Sequence, residues 1–235
     1  MDTVLHDWPL AAPLVAMGLL AWSLLERRPE GAVSRWRDPV FLLPLLLPMY
    51  LIHQFEEHGY DVHGQRYAFL ASMCRTLGFD RVSGCPADEP FIFAVNVIAC
   101  PLAFVLPYRF RRTRPLLALM PWGVPLVNAL SHLVAAVHDQ SLNPGVVTSV
   151  LLFLPLGGWV VRVCLRTGNV RPRHLVLVIG SGVLLHVVLM GSVQLRAHGL
   201  IDGAGLFLIN ALNGFVPLAL GWWPSRSATP SAPRA

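Results

Sequence analysis

Residues 39–58 read PVFLLPLLLPMYLIHQFEEH, an apolar run that ends in two histidines and two glutamates. A segment of this length and composition is typical of a helix that crosses a bilayer. A carboxylate at the centre of such a helix costs roughly 2.5–3.5 kcal/mol on insertion scales, and for that reason intramembrane charges tend to be functional. The stretch therefore predicts a membrane helix, and it places a candidate site at His53–His58.

The polar end of this stretch has a definite geometry if it is helical. Each residue of an α-helix turns by about 100°, which puts His53, Glu56 and Glu57 on one face about 100° wide. His58 falls about 140° from His53 and is expected to point elsewhere, toward solvent. One imidazole and two carboxylates on one face suit a metal ion or a buried acid–base pair. The alternative, a helix end whose side chains all face water, stays open.

The whole chain of 235 residues shares the character of this stretch, with 54% hydrophobic residues, 13% charged residues and a mean hydropathy of +0.57. Soluble domains contain about 25% charged residues, so the composition predicts a polytopic membrane protein. A membrane span needs about 17–25 apolar residues. Apolar segments of about this length are 9–25, 39–58, 91–108, 116–138, 142–161, 174–195 and 201–222. We predict an all-α bundle of about seven transmembrane helices that forms a single domain, 1–223.

The basic residues predict how this bundle is oriented. All 18 are arginines, and 14 of them lie after the first, third and fifth spans or in the C-terminal tail. The positive-inside rule therefore predicts a multi-pass protein of the inner membrane with its N-terminus outside and its C-terminus inside. Because the arginines occupy short loops, the pI near 9.5 does not indicate a nucleic-acid partner. The tail 224–235, rich in Ser, Pro and Ala, is expected to be disordered.

The longest polar segment, 59–90, is extracytoplasmic in this orientation. Its semi-apolar middle, 67–79, predicts a short helix at the membrane interface. Cys74 and Cys85 both lie in this loop, on the oxidising side of a bacterial membrane. A disulfide between them and two free thiols are both compatible with the sequence.

Three other spans carry polar residues at a similar depth. Asn128 and His132 are four residues apart and share one face of the fourth span, while His186 lies in a wholly apolar part of the sixth. With a rise of 1.5 Å per residue, His53, His132, His186 and Asn210 of the seventh span lie roughly 7–13 Å from the outer ends of their helices. Because these groups share one layer in the outer half of the bilayer, we predict that they form a single site. Its expected metal ligands are His53, Glu56, Glu57, His132 and His186.

Histidine and glutamate together suit zinc or iron. Three histidines and two glutamates are enough for one metal with an open position, or for two bridged metals as in helix-bundle di-iron proteins. Asn128 and Asn210 are expected to support the ligands or to hydrogen-bond a substrate. The turn at 142–145, LNPG, follows His132 and is expected to shape the mouth of the site. For each histidine alone, a purely structural role within the bundle is the alternative.

With these residues in place, the chain resembles the family of multi-pass bacterial membrane proteins that is named for an HXXEE motif. Residues 53–57, HQFEE, match that motif; the spacing of Asn128 and His132 resembles the family's later histidine, and residues 143–145 resemble its Pro-Gly turn. The resemblance covers roughly residues 39–215. It implies a multi-pass architecture and these site residues rather than a reaction.

Three kinds of function are compatible with this site. We favour a membrane-embedded metal-dependent enzyme that acts on a lipid-soluble or membrane-proximal small molecule, with Glu56, Glu57 and Asn128 as catalytic residues. Hydrolysis by a metal-activated water, with a glutamate as general base, is slightly preferred over di-iron oxidation, because the outer face has no evident electron partner. A metal-free Glu/His acid–base enzyme, such as an isomerase of lipids, is the first alternative. A transporter or metal carrier is the second.

Overall fold

The computed structural model describes residues 2–27, 30–168 and 170–226. Within these ranges the chain is helical, and seven helices are long and apolar enough to cross a membrane, as the sequence predicts. An eighth, short helix, α3, lies in the loop between the second and third spans. The helices are α1 (Asp2–Leu25), α2 (Pro39–Gly59), α3 (Ala68–Thr76), α4 (Glu89–Tyr108), α5 (Pro115–Asp139), α6 (Val146–Arg166), α7 (Pro172–Ala197) and α8 (Gly203–Trp222).

Two helices begin four or more residues away from the start that the sequence predicts. Helix α1 begins at Asp2 instead of residue 9, and polar contacts hold its first turns: Asp7 pairs with Arg66 at 3.1 Å and His6 with Glu89 at 3.1 Å. Helix α6 begins at Val146 instead of residue 142, because residues 142–145 form a turn. Local apolar runs define spans well but cannot show such contacts between distant residues.

Helices α5 and α7 cross in direct backbone contact. A Cβ atom added to Gly123 would lie 1.8 Å from the carbonyl oxygen of Val178, and one added to Gly182 would lie 2.1 Å from the carbonyl oxygen of Gly123. Small residues allow membrane helices this close approach. The Ser181 hydroxyl donates to the Met120 carbonyl at 2.7 Å beside the crossing. The crossing therefore fixes the position of α7 relative to α5.

The main apolar core surrounds the first half of α5. Its fully buried members include Leu42, Leu116, Leu119, Trp122 and Phe153 from α2, α5 and α6. The Trp122 indole donates to the Leu43 carbonyl at 3.2 Å, which ties α5 to α2. Because α2, α5 and α6 are packed together here, their other halves are brought together as well.

Three of the spans contain a π-helical turn: Phe55–Gly59 in α2, Ala94–Ala99 in α4 and Ser149–Phe153 in α6. A π turn closes its hydrogen bonds from i to i+5, so successive side chains are separated by a smaller angle than in an α-helix. Such turns are frequent at functional sites. The turn in α2 includes both glutamates of the HQFEEH segment and His58.

Helix α3 confirms the predicted short helix in the 59–90 loop. A disulfide joins Cys74 in this helix to Cys85, so of the two possibilities left by the sequence the structure has the bond. The Tyr67 hydroxyl lies 2.9 Å from the carbonyl oxygens of Leu5 and His6, and burial raises the pKa of Tyr67 to about 12. These links hold α3 across one end of the bundle. Of the predicted disordered tail 224–235, residues 227–235 lie outside the described residues.

Candidate metal centre

Three buried side chains from α2 and α5 converge between the helices. His53, Glu57 and His132 each offer one ligand atom, and these atoms all lie within 4.8 Å of one another. The Oε1 atom of Glu57 lies 3.3 Å from Nε2 of His53 and 3.1 Å from Nε2 of His132. All three residues are at most 4% exposed. The structure thus brings together three of the five residues that the sequence predicts as ligands, in a group that could hold a metal ion.

His132 is held in one orientation by Asn143. The Asn143 amide nitrogen donates to the His132 carbonyl at 2.7 Å, which leaves the amide oxygen facing Nδ1 of the same histidine, also at 2.7 Å. Because that oxygen can only accept, Nδ1 of His132 carries the proton. In the neutral ring, the other nitrogen, Nε2, therefore presents a lone pair to Glu57.

His53 has the same arrangement, with Thr148 as its support. The Thr148 hydroxyl donates to Oε2 of Glu56 at 2.5 Å, because a carboxylate can only accept. The hydroxyl oxygen in turn accepts from Nδ1 of His53 at 2.7 Å. In its neutral form His53 therefore also has the lone pair of Nε2 on the side of Glu57, where the Asn128 amide nitrogen donates to it at 3.0 Å. Supports of this kind set the tautomer of metal-binding histidines in many proteins.

Glu56 lies behind His53 and outside the group of three. Its carboxylate accepts the backbone N–H of Val147 at 3.1 Å and that of Thr148 at 2.8 Å, in the first turn of α6. A helix N-terminus stabilises an anion through its unpaired N–H groups and its dipole. The structure therefore gives Glu56 the place of a supporting residue, where the sequence predicts a ligand and catalytic residue.

His58 does not point toward solvent, so that expectation was wrong. It is 1% exposed, and its Nε2 atom accepts from the Asn96 amide at 3.2 Å and lies 3.7 Å from Oε2 of Glu57. The Asn96 oxygen accepts from the Tyr50 hydroxyl at 2.6 Å, which fixes the orientation of the amide. The physical reason is that other parts of the chain cover this side of α2: the His58 ring packs against Trp8 of α1 and against Tyr67 and Phe69 at the start of α3.

A cavity of about 410 Å³ opens beside Glu57 and His132. Its walls come from α2, α3, α4, α5, α7 and α8 and are mostly apolar, and its volume is that of a small-molecule site. Asn128 lines it, as does His186, which lies outside the group of three. The Nδ1 atom of His186 is 2.8 Å from the Gly182 carbonyl of its own helix and donates to it. Of the layer of polar groups predicted from the sequence, Asn128, His132, His186 and Asn210 line this cavity, while His53 lies behind its wall.

Gly145 packs directly against both histidine rings. Its φ of +95° is in the left-handed region, and an added Cβ atom would lie 2.5 Å from Cε1 of His132 and 2.8 Å from Cε1 of His53. Only glycine satisfies both the conformation and the space. The Pro-Gly turn predicted to shape the mouth of the site is thus a wall of the site itself.

The electrostatics of the group call for a cation. Oε1 of Glu57 lies 3.3 Å from Nε2 of His53 and 3.1 Å from Nε2 of His132, and acceptor atoms this close repel unless a metal ion or a proton lies between them. The second oxygen of Glu57 accepts from the Gln54 amide at 2.8 Å.

Sequence reasoning missed the supporting roles of Gln54, Asn96 and Thr148. The one usable signal is that Thr148 closely follows the Pro-Gly turn.

A family model described as protein of unknown function with HXXEE motif matches residues 44–160. The matched segment runs from within α2 into α6 and contains His53, Glu57 and His132. It also contains Asn143, Gly145 and Thr148, which hold the two rings in place. No curated protein and no solved structure matches the chain.

Proposed function

The chain belongs to the family of proteins of unknown function with an HXXEE motif, and we propose that it is a membrane-embedded metal-dependent hydrolase. One zinc-type ion is held by His53, Glu57 and His132. The substrate is a lipid-soluble small molecule that enters the cavity beside these residues. With the orientation that the arginines predict, the reaction takes place in the outer half of the bilayer.

The observation that carries the proposal is the convergence of two imidazole lone pairs and one carboxylate oxygen, with the Nδ1 protons of both rings directed away. Two histidines and one glutamate are the ligand set of several catalytic zinc sites, which leave a fourth position open. The group contains one carboxylate, because Glu56 is bonded to α6. Carboxylate-bridged di-iron sites use more glutamates than this, so the geometry favours one ion and hydrolysis over oxidation.

An ion in this position would act as a Lewis acid and lower the pKa of a bound water. The protein's own residues provide the rest. Gln54 holds one oxygen of Glu57 and leaves the other toward the histidines. Asn128 lines the cavity, and its amide nitrogen donates to Nε2 of His53. With an ion bound to that nitrogen, the amide would donate instead to an oxygen of the substrate. Glu56 acts as a positioning residue through Thr148 and His53.

A metal-free acid–base enzyme that acts on a lipid is the second candidate. One proton shared between Oε1 of Glu57 and Nε2 of His132, which are 3.1 Å apart, would remove the same repulsion. Glu57 would then exchange protons with the substrate, as in an isomerisation. The metal content of the protein separates the two candidates.

The test is elemental analysis of protein purified in detergent without chelators. We expect about one zinc per chain in the wild type, and almost none in the Glu57→Gln and His132→Gln variants, which lose a ligand. The matched control is His186→Gln, which changes another histidine of the same cavity and should keep its zinc. Circular dichroism on each sample reports whether the helices are formed.

Three results would contradict the proposal in different ways. Folded wild-type protein that stays free of metal after incubation with zinc excludes the metalloenzyme and leaves the acid–base enzyme. Two irons per chain would replace hydrolysis by oxidation. Loss of metal in His186→Gln would show that the ligand set extends beyond His53, Glu57 and His132.

A further inference from the structure

The cavity has a second polar feature, on α8, that the candidate metal group (His53, Glu57 and His132) does not use. Asn210 and Asn213 both line the cavity, as do Glu57 and His132. They are three residues apart, so they share one face of the helix. Asn210 is 0% exposed and Asn213 is 7% exposed. Two buried amides in a membrane span require hydrogen-bond partners.

The orientation of both amides is fixed by their nitrogen atoms. The Asn210 nitrogen donates to the Leu206 carbonyl at 2.9 Å and to the Ser192 hydroxyl at 2.8 Å. The Asn213 nitrogen donates to the Leu185 carbonyl at 2.9 Å. A carbonyl oxygen can only accept, so neither amide can be turned around. The Oδ1 atoms of both residues are then acceptors, and among the described residues neither has a partner.

Two unpaired acceptors on one helix face indicate the chemistry of the ligand. A buried amide oxygen is nearly always hydrogen-bonded, and lipid tails offer no donors. Side chains at i and i+3 have their Cβ atoms about 5–6 Å apart, a spacing that suits donors on neighbouring carbon atoms. Most of the remaining wall is apolar, with Phe91, Ile92 and Val95 among its members.

We infer that the cavity binds an amphipathic, lipid-like molecule whose two neighbouring hydroxyl or N–H groups donate to Oδ1 of Asn210 and Asn213. Its apolar chain lies against the apolar wall. This inference rests on the proposed function for the reaction that follows, because it names the class of substrate that the metal group would act on. Binding itself involves α8 and requires no metal and no turnover.

The test compares two ligands that lack a bond to hydrolyse. The first is 1-O-decylglycerol, which has two neighbouring hydroxyls, and the second is its 2,3-di-O-methyl ether, which has no donor. Binding of tritiated 1-O-decylglycerol to the detergent-purified protein is measured by scintillation proximity, with each unlabelled compound as competitor. We expect saturable binding and a preference for the diol of roughly tenfold or more, because the ether leaves two buried acceptors unpaired.

The variants locate the preference. Asn213→Leu should reduce the preference for the diol, and the double variant Asn210→Leu/Asn213→Leu should bring the ratio of the two affinities close to one. The control Met190→Leu, another residue of the cavity wall, should keep the preference. Zinc content is expected to be unchanged in all of them, and the diol preference should survive in Glu57→Gln. A failure of the metal proposal is therefore distinguishable from a failure of this one.

Two outcomes would overturn the inference without any variant. Equal affinity of the wild type for the diol and the ether means that the two oxygens do not recognise donors. Absence of saturable diol binding excludes this class of ligand. Where the variants fold, a diol preference that persists in the double variant places the recognition elsewhere in the cavity.

Discussion

Helix α5 passes through two regions of opposite character. In its first half, Leu116, Leu119 and Trp122 are fully buried in the apolar core, and Gly123 touches the backbone of α7. In its second half, Asn128 and His132 enter a network of hydrogen bonds with His53, Glu57 and Asn143. Close packing of apolar and backbone atoms stabilises the first region, and directed hydrogen bonds stabilise the second.

This difference teaches where structure and function can be separated. At the crossing, backbone atoms are in contact, so an added atom can be accommodated only by moving a helix. At the metal group, each ring is oriented through the Nδ1 atom by one supporting residue. A change there alters the direction of a lone pair and leaves the apolar core intact. Substitutions in the two regions should therefore have different readouts.

The largest expected effect is the loss of the folded protein in Gly123→Val. The new Cβ would lie 1.8 Å from the Val178 carbonyl oxygen and 3.1 Å from the Gly182 nitrogen, and both of these are backbone atoms that cannot rotate away. We expect aggregation or degradation instead of a monodisperse peak in size-exclusion chromatography. Gly158→Ala is the control, because its Cβ meets nothing within 4 Å and alanine favours a helix. A wild-type elution profile and melting temperature for Gly123→Val would contradict the role of the crossing.

The next effect is the loss of metal without loss of the fold in Gly145→Ala. The added methyl group would collide with Cε1 of His132 and of His53, so the two Nε2 atoms can no longer face Glu57 together. We expect elemental analysis to find almost no zinc, while circular dichroism shows wild-type helix content. The control Gly84→Ala has the same φ of +95° but open space around the new atom. It shares the backbone strain, and its zinc content should be that of the wild type.

The fold was predictable because a membrane span is a local property of the sequence. The apolar runs and arginine-rich loops are visible in order along the chain, and the structure has seven helices long and apolar enough to span, at nearly the predicted places. The pairing of His53 with His132 was also predictable, since both lie on polar faces of apolar helices. Depth along each helix was enough to bring these two residues to the same layer.

The rest of the site depends on features that the sequence does not display. His58 is buried because Trp8 of α1 and Phe69 of α3 pack against its ring, and helical periodicity within α2 cannot show which other elements cover it. Glu56 is held by N–H groups of α6, so its role depends on where that helix begins relative to α2. The sequence shows Thr148 only as a residue near a helix start. The structure shows that its hydroxyl links Glu56 to His53.

The smallest effects come from removing one hydroxyl beside each of the two regions of α5. In Thr148→Val, His53 loses the acceptor for its Nδ1 proton, and Glu56 loses one of its donors. Loss of such a support typically lowers metal affinity by about 10–100-fold. Competition with a zinc chelator of known affinity measures this change. Thr113→Val, at the far end of the bundle from the metal group, should leave the affinity unchanged.

The matching change at the crossing is Ser181→Ala, which removes the hydrogen bond to the Met120 carbonyl. One buried hydrogen bond contributes about 1 kcal/mol to stability, so the melting temperature should fall by roughly 2–4 °C. Its zinc affinity should be that of the wild type, because no atom of the metal group moves. If Ser181→Ala weakened zinc binding as much as Thr148→Val does, the two halves of α5 would be coupled. Packing at the crossing would then also determine the geometry of the metal group, and the two regions could not be changed independently.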